Sequence, residues 1–235
     1  MAAMIADEPT AAGLDGPTVP GVRNFRDAGG LGTLPRGVLY RSGALDRLTP
    51  DGARALLDLG VRTVLDLRST PETTARPDAL GDSGIRYLHV PVFAEQRWPE
   101  EQAELYPLMA ELAGRPAVAA VRALLAADRR AVLVHCASGK DRTGVVVALI
   151  QSLLGAAEPE ILADFLRSNT ALGLTVPAPG APGHATRPVA AVHLRRALLS
   201  VRSQHGALDE HLRAHSARTS ELAALRSQFH AAVSP

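Results

Sequence analysis

The stretch Ala131-Val132-Leu133-Val134-His135-Cys136-Ala137-Ser138-Gly139-Lys140-Asp141-Arg142-Thr143-Gly144-Val145-Val146-Val147 runs from an apolar segment through a polar, glycine-containing loop into a second apolar segment. The first segment reads as a strand buried within a sheet. The second, over 143–154 with Gly155 after its end, reads as a helix. A loop between strand and helix turns its backbone N–H groups and the positive end of the helix toward one point, where a phosphate dianion is held without a metal. Residues Ala137, Ser138, Gly139, Lys140, Asp141 and Arg142 are the candidate phosphate binders, and Cys136 lies at the bottom of the cup. The same dipoles and cations depress a thiol pKa, which makes Cys136 a candidate thiolate nucleophile. Arg142, six positions on, can return over the loop and grip two phosphate oxygens with its planar fork. Thr143 can direct its hydroxyl at the sulfur and stabilise the thiolate as it leaves. His135 braces the loop from behind, and Asp141 on the open side can protonate a leaving oxygen. Gly139 and Gly144 suit places of unusual dihedrals or close backbone approach.

Composition narrows the rest. In 235 residues, 46% are hydrophobic and 21% charged, the profile of a chain that buries a core. A net charge of +1 supplies no field that would draw the chain onto nucleic acid or an anionic membrane. One cysteine excludes an internal disulfide and any multi-thiolate metal site. Lys140 is the single lysine among 25 basic residues and stands four positions from the single cysteine. The first residues carry Asp7 and Glu8 and no long apolar run, which reads as neither a secretory signal nor a membrane span. The expectation is a cytoplasmic enzyme with no cofactor, no metal, no nucleic-acid partner and no stable membrane association.

Outward from the decisive stretch, residues 1–20 read as a loose arm and 21–235 as one domain. A short strand through Val38-Leu39-Tyr40-Arg41 precedes a helix with Thr49 as N-cap, Pro50 in the first turn and Gly60 at its close. Further strands fall at 61–67, 85–92 and 131–135, and helices at 101–112 and 116–127. Strands alternating with helices predict an α/β fold: a central, mostly parallel sheet with helices on both faces and a helical C-terminal third. There, 159–170, 188–204 and 219–232 have helical spacing, and their His and Arg residues read as solvated faces. Residues 172–187, rich in Pro and Gly, read as a mobile loop and a candidate lid. Phe93, Trp98 and Tyr106 form a second candidate lid over 93–112, or core packing.

The run His135-Cys136-Ala137-Ser138-Gly139-Lys140-Asp141-Arg142-Thr143-Gly144 resembles the Cys-x5-Arg signature of the protein-tyrosine phosphatase superfamily. Its Gly-Lys-Asp-Arg-Thr-Gly form resembles the bacterial and fungal tyrosine phosphatases that overlap with phosphoinositide phosphatases. Asn24-Phe25-Arg26-Asp27-Ala28-Gly29-Gly30, Tyr40-Arg41-Ser42-Gly43, and Asp66-Leu67-Arg68-Ser69 with Glu72 resemble other segments of that group, in order. The likeness covers roughly residues 20–232. It implies a metal-independent phosphomonoesterase in which Cys136 attacks phosphorus, a phosphocysteine forms and water releases phosphate, with Lys140 and Asp141 taking part. A nucleotide-binding loop is the rival for Gly139-Lys140, but Asp141 stands where Ser or Thr is needed and Val134 where a Gly is needed.

Asp66, at a strand end on the edge where open α/β sheets bind ligands, is the alternative acid. Pairing with Arg68 or capping a turn is the structural alternative for Asp66, and a structural reading also competes for Arg26, Asp27 and Arg41. The expected substrate is phosphotyrosine in a phosphorylated protein, or a similar ester. Small phosphorylated metabolites, such as a nucleoside or a sugar, and phosphoinositides are alternatives. An inactive phospho-ligand binder fits poorly with Cys136, Asp141 and Arg142 all present. Arsenate reduction lacks resolving cysteines.

Overall fold

Strands β1 Arg26–Asp27, β2 Leu39–Ser42, β3 Val61–Asp66, β4 Arg86–His89 and β5 Ala131–His135 form a sheet in the order β1-β2-β5-β3-β4. The computed structural model describes residues 16–95, 97–126, 130–174 and 186–230. β5 lies between β2 and β3 and β3 between β5 and β4, all parallel, while β1 runs antiparallel to β2 at the edge. The continuous apolar run of β5 follows from that central place: Ala131 and Leu133 point into one core and Val132 and Val134 into the other. β4 is the far edge, and Arg86, Tyr87 and His89 on it are exposed.

Helix α1, Pro50–Asp58, covers one face through Leu56, with Phe25 stacked on Tyr40 at 5.3 Å beside it. Its start follows the expected chemistry: the Thr49 side chain accepts from the Gly52 N–H, and Gly60 turns the chain at φ +80°. The other face carries α4 Gly114–Ala126 and α5 Asp141–Leu153. Outside them pack α3 Gln102–Leu112 and the expected helical third, α6 Glu158–Ala171, α7 Ala191–His205, α8 Leu208–Ala214 and α9 Thr219–His230. Among the described residues, no helix is long and apolar enough to cross a membrane.

Some boundaries differ from the sequence reading. α5 begins at Asp141 instead of 143, because the acidic side chain in the first turn complements the helix dipole. Two-residue β1 and seven-residue α8 are too short to show periodicity. α2, Thr70–Ala75, opens on a Ser69–Glu72 capping box, a signal present in the sequence. Of the expected arm, residues 1–15 lie outside the described set, but Val19 is buried with Phe25 and Leu48, so the folded part starts before Gly21. Of the expected loop over 172–187, residues 175–185 lie outside the described set. Its flanks are joined where the Asn169 amide donates to Val189 O and its carbonyl accepts from Val189 N, both at 2.8 Å.

Candidate active site

β5 delivers Cys136 to the carboxyl edge of the sheet, and α5 receives the chain five residues later. Between them, four successive carbonyls are tied from behind. Ala137 O accepts from the Ala44 N–H at 3.0 Å, and the Asn24 side-chain amide donates to Ser138 O at 2.9 Å and Gly139 O at 3.0 Å. Arg41 Nη2 donates to Gly139 O at 3.0 Å and Lys140 O at 3.4 Å. A trans peptide sends the next N–H to the side opposite its carbonyl, so the amides of 138–141 face away from these anchors and line a cup. Gly139 sits at φ +68°, and a Cβ there would lie 2.2 Å from Ser42 O. Gly144 meets the other half of the expectation, since a Cβ there would fall 2.6 Å from the Phe165 ring.

The anchors are themselves fixed. Asp164, from α6, accepts from Arg26 Nε at 2.9 Å and Arg41 Nη1 at 2.7 Å, while Arg26 Nη1 donates to Asn24 Oδ1 at 2.5 Å. Asn24 holds a left-handed backbone at φ +55°, which asparagine tolerates better than most residues. Burial opposes charge on Asp164, but Arg41 and Arg26 hold its carboxyl below the usual range.

Cys136 is 3% exposed. Burial alone would push its thiol up, yet the Arg142 charge and the hydroxyl and amide of Thr143 bring its pKa below the ordinary value, against the opposing charge of Asp141. Thr143 Oγ1 is buried and has no hydrogen-bonded nitrogen or oxygen partner among the described residues, consistent with service to the sulfur. Arg142 Nη1 and Nη2 donate to Glu72 Oε2 and Oε1 at 2.5 and 2.8 Å. Burial disfavours the Arg142 charge, but Glu72 and Cys136 outweigh it and raise the pKa. Glu72 also accepts from the Ser69 N–H and hydroxyl, and Trp98 lies 5.3 Å from the guanidinium carbon.

Asp141 accepts from the Tyr106 hydroxyl at 2.5 Å, and its other oxygen lies 3.6 Å from Lys140 Nζ. Lys140 is buried and also donates to Arg187 O. Burial and the neighbouring Asp141 raise the Tyr106 pKa, which keeps its hydroxyl a donor. His135 is fully buried behind the loop, with Nδ1 3.2 Å from Cys136 O and Nε2 2.9 Å from Asp78 Oδ2. Burial opposes its charge, but Asp78 and Asp66 raise its pKa.

Asp66 is fully buried, and its oxygens accept from Arg68 Nε and Nη2, the Arg68 N–H and the Tyr87 hydroxyl at 2.6–3.0 Å. It therefore holds Arg68 across the sheet edge, whereas Cys136, Lys140, Asp141, Arg142 and Thr143 come together at the cup. The sequence reading gave no role to Asp164 or Asp78, took Tyr106 as part of a candidate lid or as core packing, and quoted Glu72 only within a resemblance. The Ser69–Glu72 capping pattern could have marked Glu72; Asp164 has no local signal.

A family model described as "Tyrosine phosphatase family" matches residues 17–231. The triple specificity protein phosphatase PtpB of Mycobacterium tuberculosis is 34% identical over 190 residues, which cover 64% of this chain and 68% of that protein. A tyrosine-protein phosphatase of Nostoc commune is 28% identical over 142 residues, 56% of this chain and 48% of that one. A crystal structure of kinase associated phosphatase, with its catalytic cysteine replaced by serine, has the same fold at a TM-score of 0.50 and 12% identity, covering 79% of this chain and 97% of the other.

Proposed function

The chain belongs to the tyrosine phosphatase family and is a cysteine-dependent phosphatase, and from that premise we propose that it cleaves aryl phosphate esters, phosphotyrosine above all, at the Cys136 cup. One observation supports this most: a buried thiol made acidic by Arg142 and Thr143 at the base of a loop whose amides are turned to one side. In this reading the Cys136 thiolate attacks phosphorus, the bond to the ester oxygen breaks, and Asp141 gives that oxygen its proton. Tyr106 and Lys140 stabilise the Asp141 carboxylate left behind. Asp141 then takes a proton from water as it attacks the phosphocysteine. The sulfur–phosphorus bond breaks, and Arg142 and Thr143 receive the thiolate. Glu72 engages two of the five Arg142 N–H donors, leaving three to follow the transferring group.

Trp98 favours an aromatic ester. It stands over Arg142 with Phe93 behind it at 5.5 Å, so a phenyl group leaving the cup meets an aromatic wall. A single catalytic thiolate with no partner cysteine also suits the reducing cytoplasm. A phosphate-release panel of phosphotyrosine peptides, phosphoinositides, nucleotides and sugar phosphates tests the substrate. The phosphotyrosine peptides should give the highest kcat/KM, falling about tenfold in Trp98→Ala. A metabolite or phosphoinositide preferred tenfold or more would replace the aryl reading while leaving the chemistry at Cys136.

A further inference from the structure

We propose that Glu111, His211 and His215 bind one divalent transition-metal ion of the zinc class at a site separate from the Cys136 loop. Glu111 lies on α3 and the two histidines on and just after α8, and one donor atom from each lies within 4.8 Å of the others. His211 Nδ1 is 3.7 Å from Glu111 Oε2, and His215 Nε2 is 3.8 Å from Glu111 Oε1. Ligands of a tetrahedral ion at bonds of ~2.0–2.1 Å stand about 3.3–3.4 Å apart, so each histidine needs to close on the Glu111 carboxylate by only a few tenths of an ångström.

Two further features point to an ion. His211 is 0% exposed, and apart from a contact to the Ala110 backbone its ring has no hydrogen-bond partner among the described residues, so one nitrogen of a buried imidazole is left unsatisfied. His215 Nδ1 lies 2.9 Å from His211 O, so it carries the proton and donates there, leaving the Nε2 lone pair toward Glu111.

The surroundings are shaped to the same end. His205 Nε2 is 2.8 Å from Glu111 Oε2, a hydrogen-bond distance too short for two ligands of one ion; His205 therefore positions the carboxylate. At the start of α4, a Cβ on Gly114 would fall 2.3 Å from His215 Nδ1, so the imidazole occupies the space of a missing side chain. Two imidazoles and one carboxylate select zinc, cobalt, nickel or copper over magnesium or calcium, with water completing the shell. The ion would join α8 to α3, the helix that also presents Tyr106 to Asp141.

The test uses full-length, tag-free protein carrying Cys136→Ser, so that the thiolate does not take up the probe. One equivalent of Co²⁺ should produce the visible absorption of a tetrahedral site, and Zn²⁺ should abolish it. Zn²⁺ at about a hundredfold excess over its Kd should raise Tm by ~5–10 °C. Glu111→Gln and His215→Asn, at partly exposed positions, should each weaken Zn²⁺ binding at least about tenfold while keeping the far-ultraviolet circular dichroism of the parent. His205→Gln should weaken it less than either. No Co²⁺ absorption at one equivalent, or undiminished Zn²⁺ affinity in both folded ligand variants, would overturn the site.

Discussion

The Thr143 hydroxyl makes Cys136 acidic together with Arg142, acting on the sulfur from the first turn of α5. A hydrogen bond to a charged group contributes about 1.5–3 kcal/mol, and ~1.4 kcal/mol corresponds to one pH unit. Since attack needs the thiolate, the acid limb of kcat/KM should follow the Cys136 pKa. Thr143→Val keeps the shape and removes the donor, so that limb should move to higher pH and turnover should slow. An unmoved limb would separate Thr143 from the sulfur. Glu72 works one step further out: it touches no reacting atom in the proposed reaction and sets where Arg142 points.

At the scale of elements, the cup is made by what lies behind it. β1, β2 and α6 converge on the loop carbonyls through Asn24, Arg26, Arg41 and Asp164, so the amides face outward because their carbonyls are held inward. Asp164→Asn would leave Arg26 and Arg41 without their anion in a buried place, a loss of about 3–5 kcal/mol. In a chain of this length that lowers Tm by ~10 °C. The freed loop should also lose up to about 100-fold in kcat, as a misplaced catalytic group does. A variant with unchanged Tm and kcat would show that the amides hold their direction without the buttress. This contrast explains what could be read from the chain. Cys136, Arg142 and Thr143 are legible because one strand–loop–helix segment places them, as are β5, α1 with its Thr49 cap, and the glycines at 139 and 144. Asp164, Glu72 and Tyr106 meet their partners across 123, 70 and 35 residues, separations at which periodicity and spacing carry no signal. Asp66 shows the limit from the other side: its position at a strand end suggests a ligand edge, and only the fold reveals that Arg68 and Tyr87 take both of its oxygens.

Across the whole molecule, the same buried charges set the response to pH. Glu72, Asp66 and Asp164 have folded pKa values below their ordinary 4.5 and 3.8, so their stabilisation is present above those values and lost as pH falls through the folded ones. His135 is raised above 6.5, so its contribution is full below 6.5 and lost as pH rises through the folded value. The urea midpoint should therefore fall as pH drops below about 4.5, and the amount by which the parent exceeds His135→Asn should shrink as pH rises from 6.5 to 9. A parent-to-variant difference that stays constant from pH 6.5 to 9 would contradict a charged His135 behind the loop. The central claim is that the phosphoryl group passes through the Cys136 sulfur, and trapping tests it most directly. Full-length enzyme mixed with an aryl phosphate and quenched in acid within milliseconds should carry one phosphoryl group on the peptide containing Cys136, and Cys136→Ser should neither carry that thiophosphate nor turn over. Turnover persisting in Cys136→Ser, or phosphate recovered on any other residue, would contradict it.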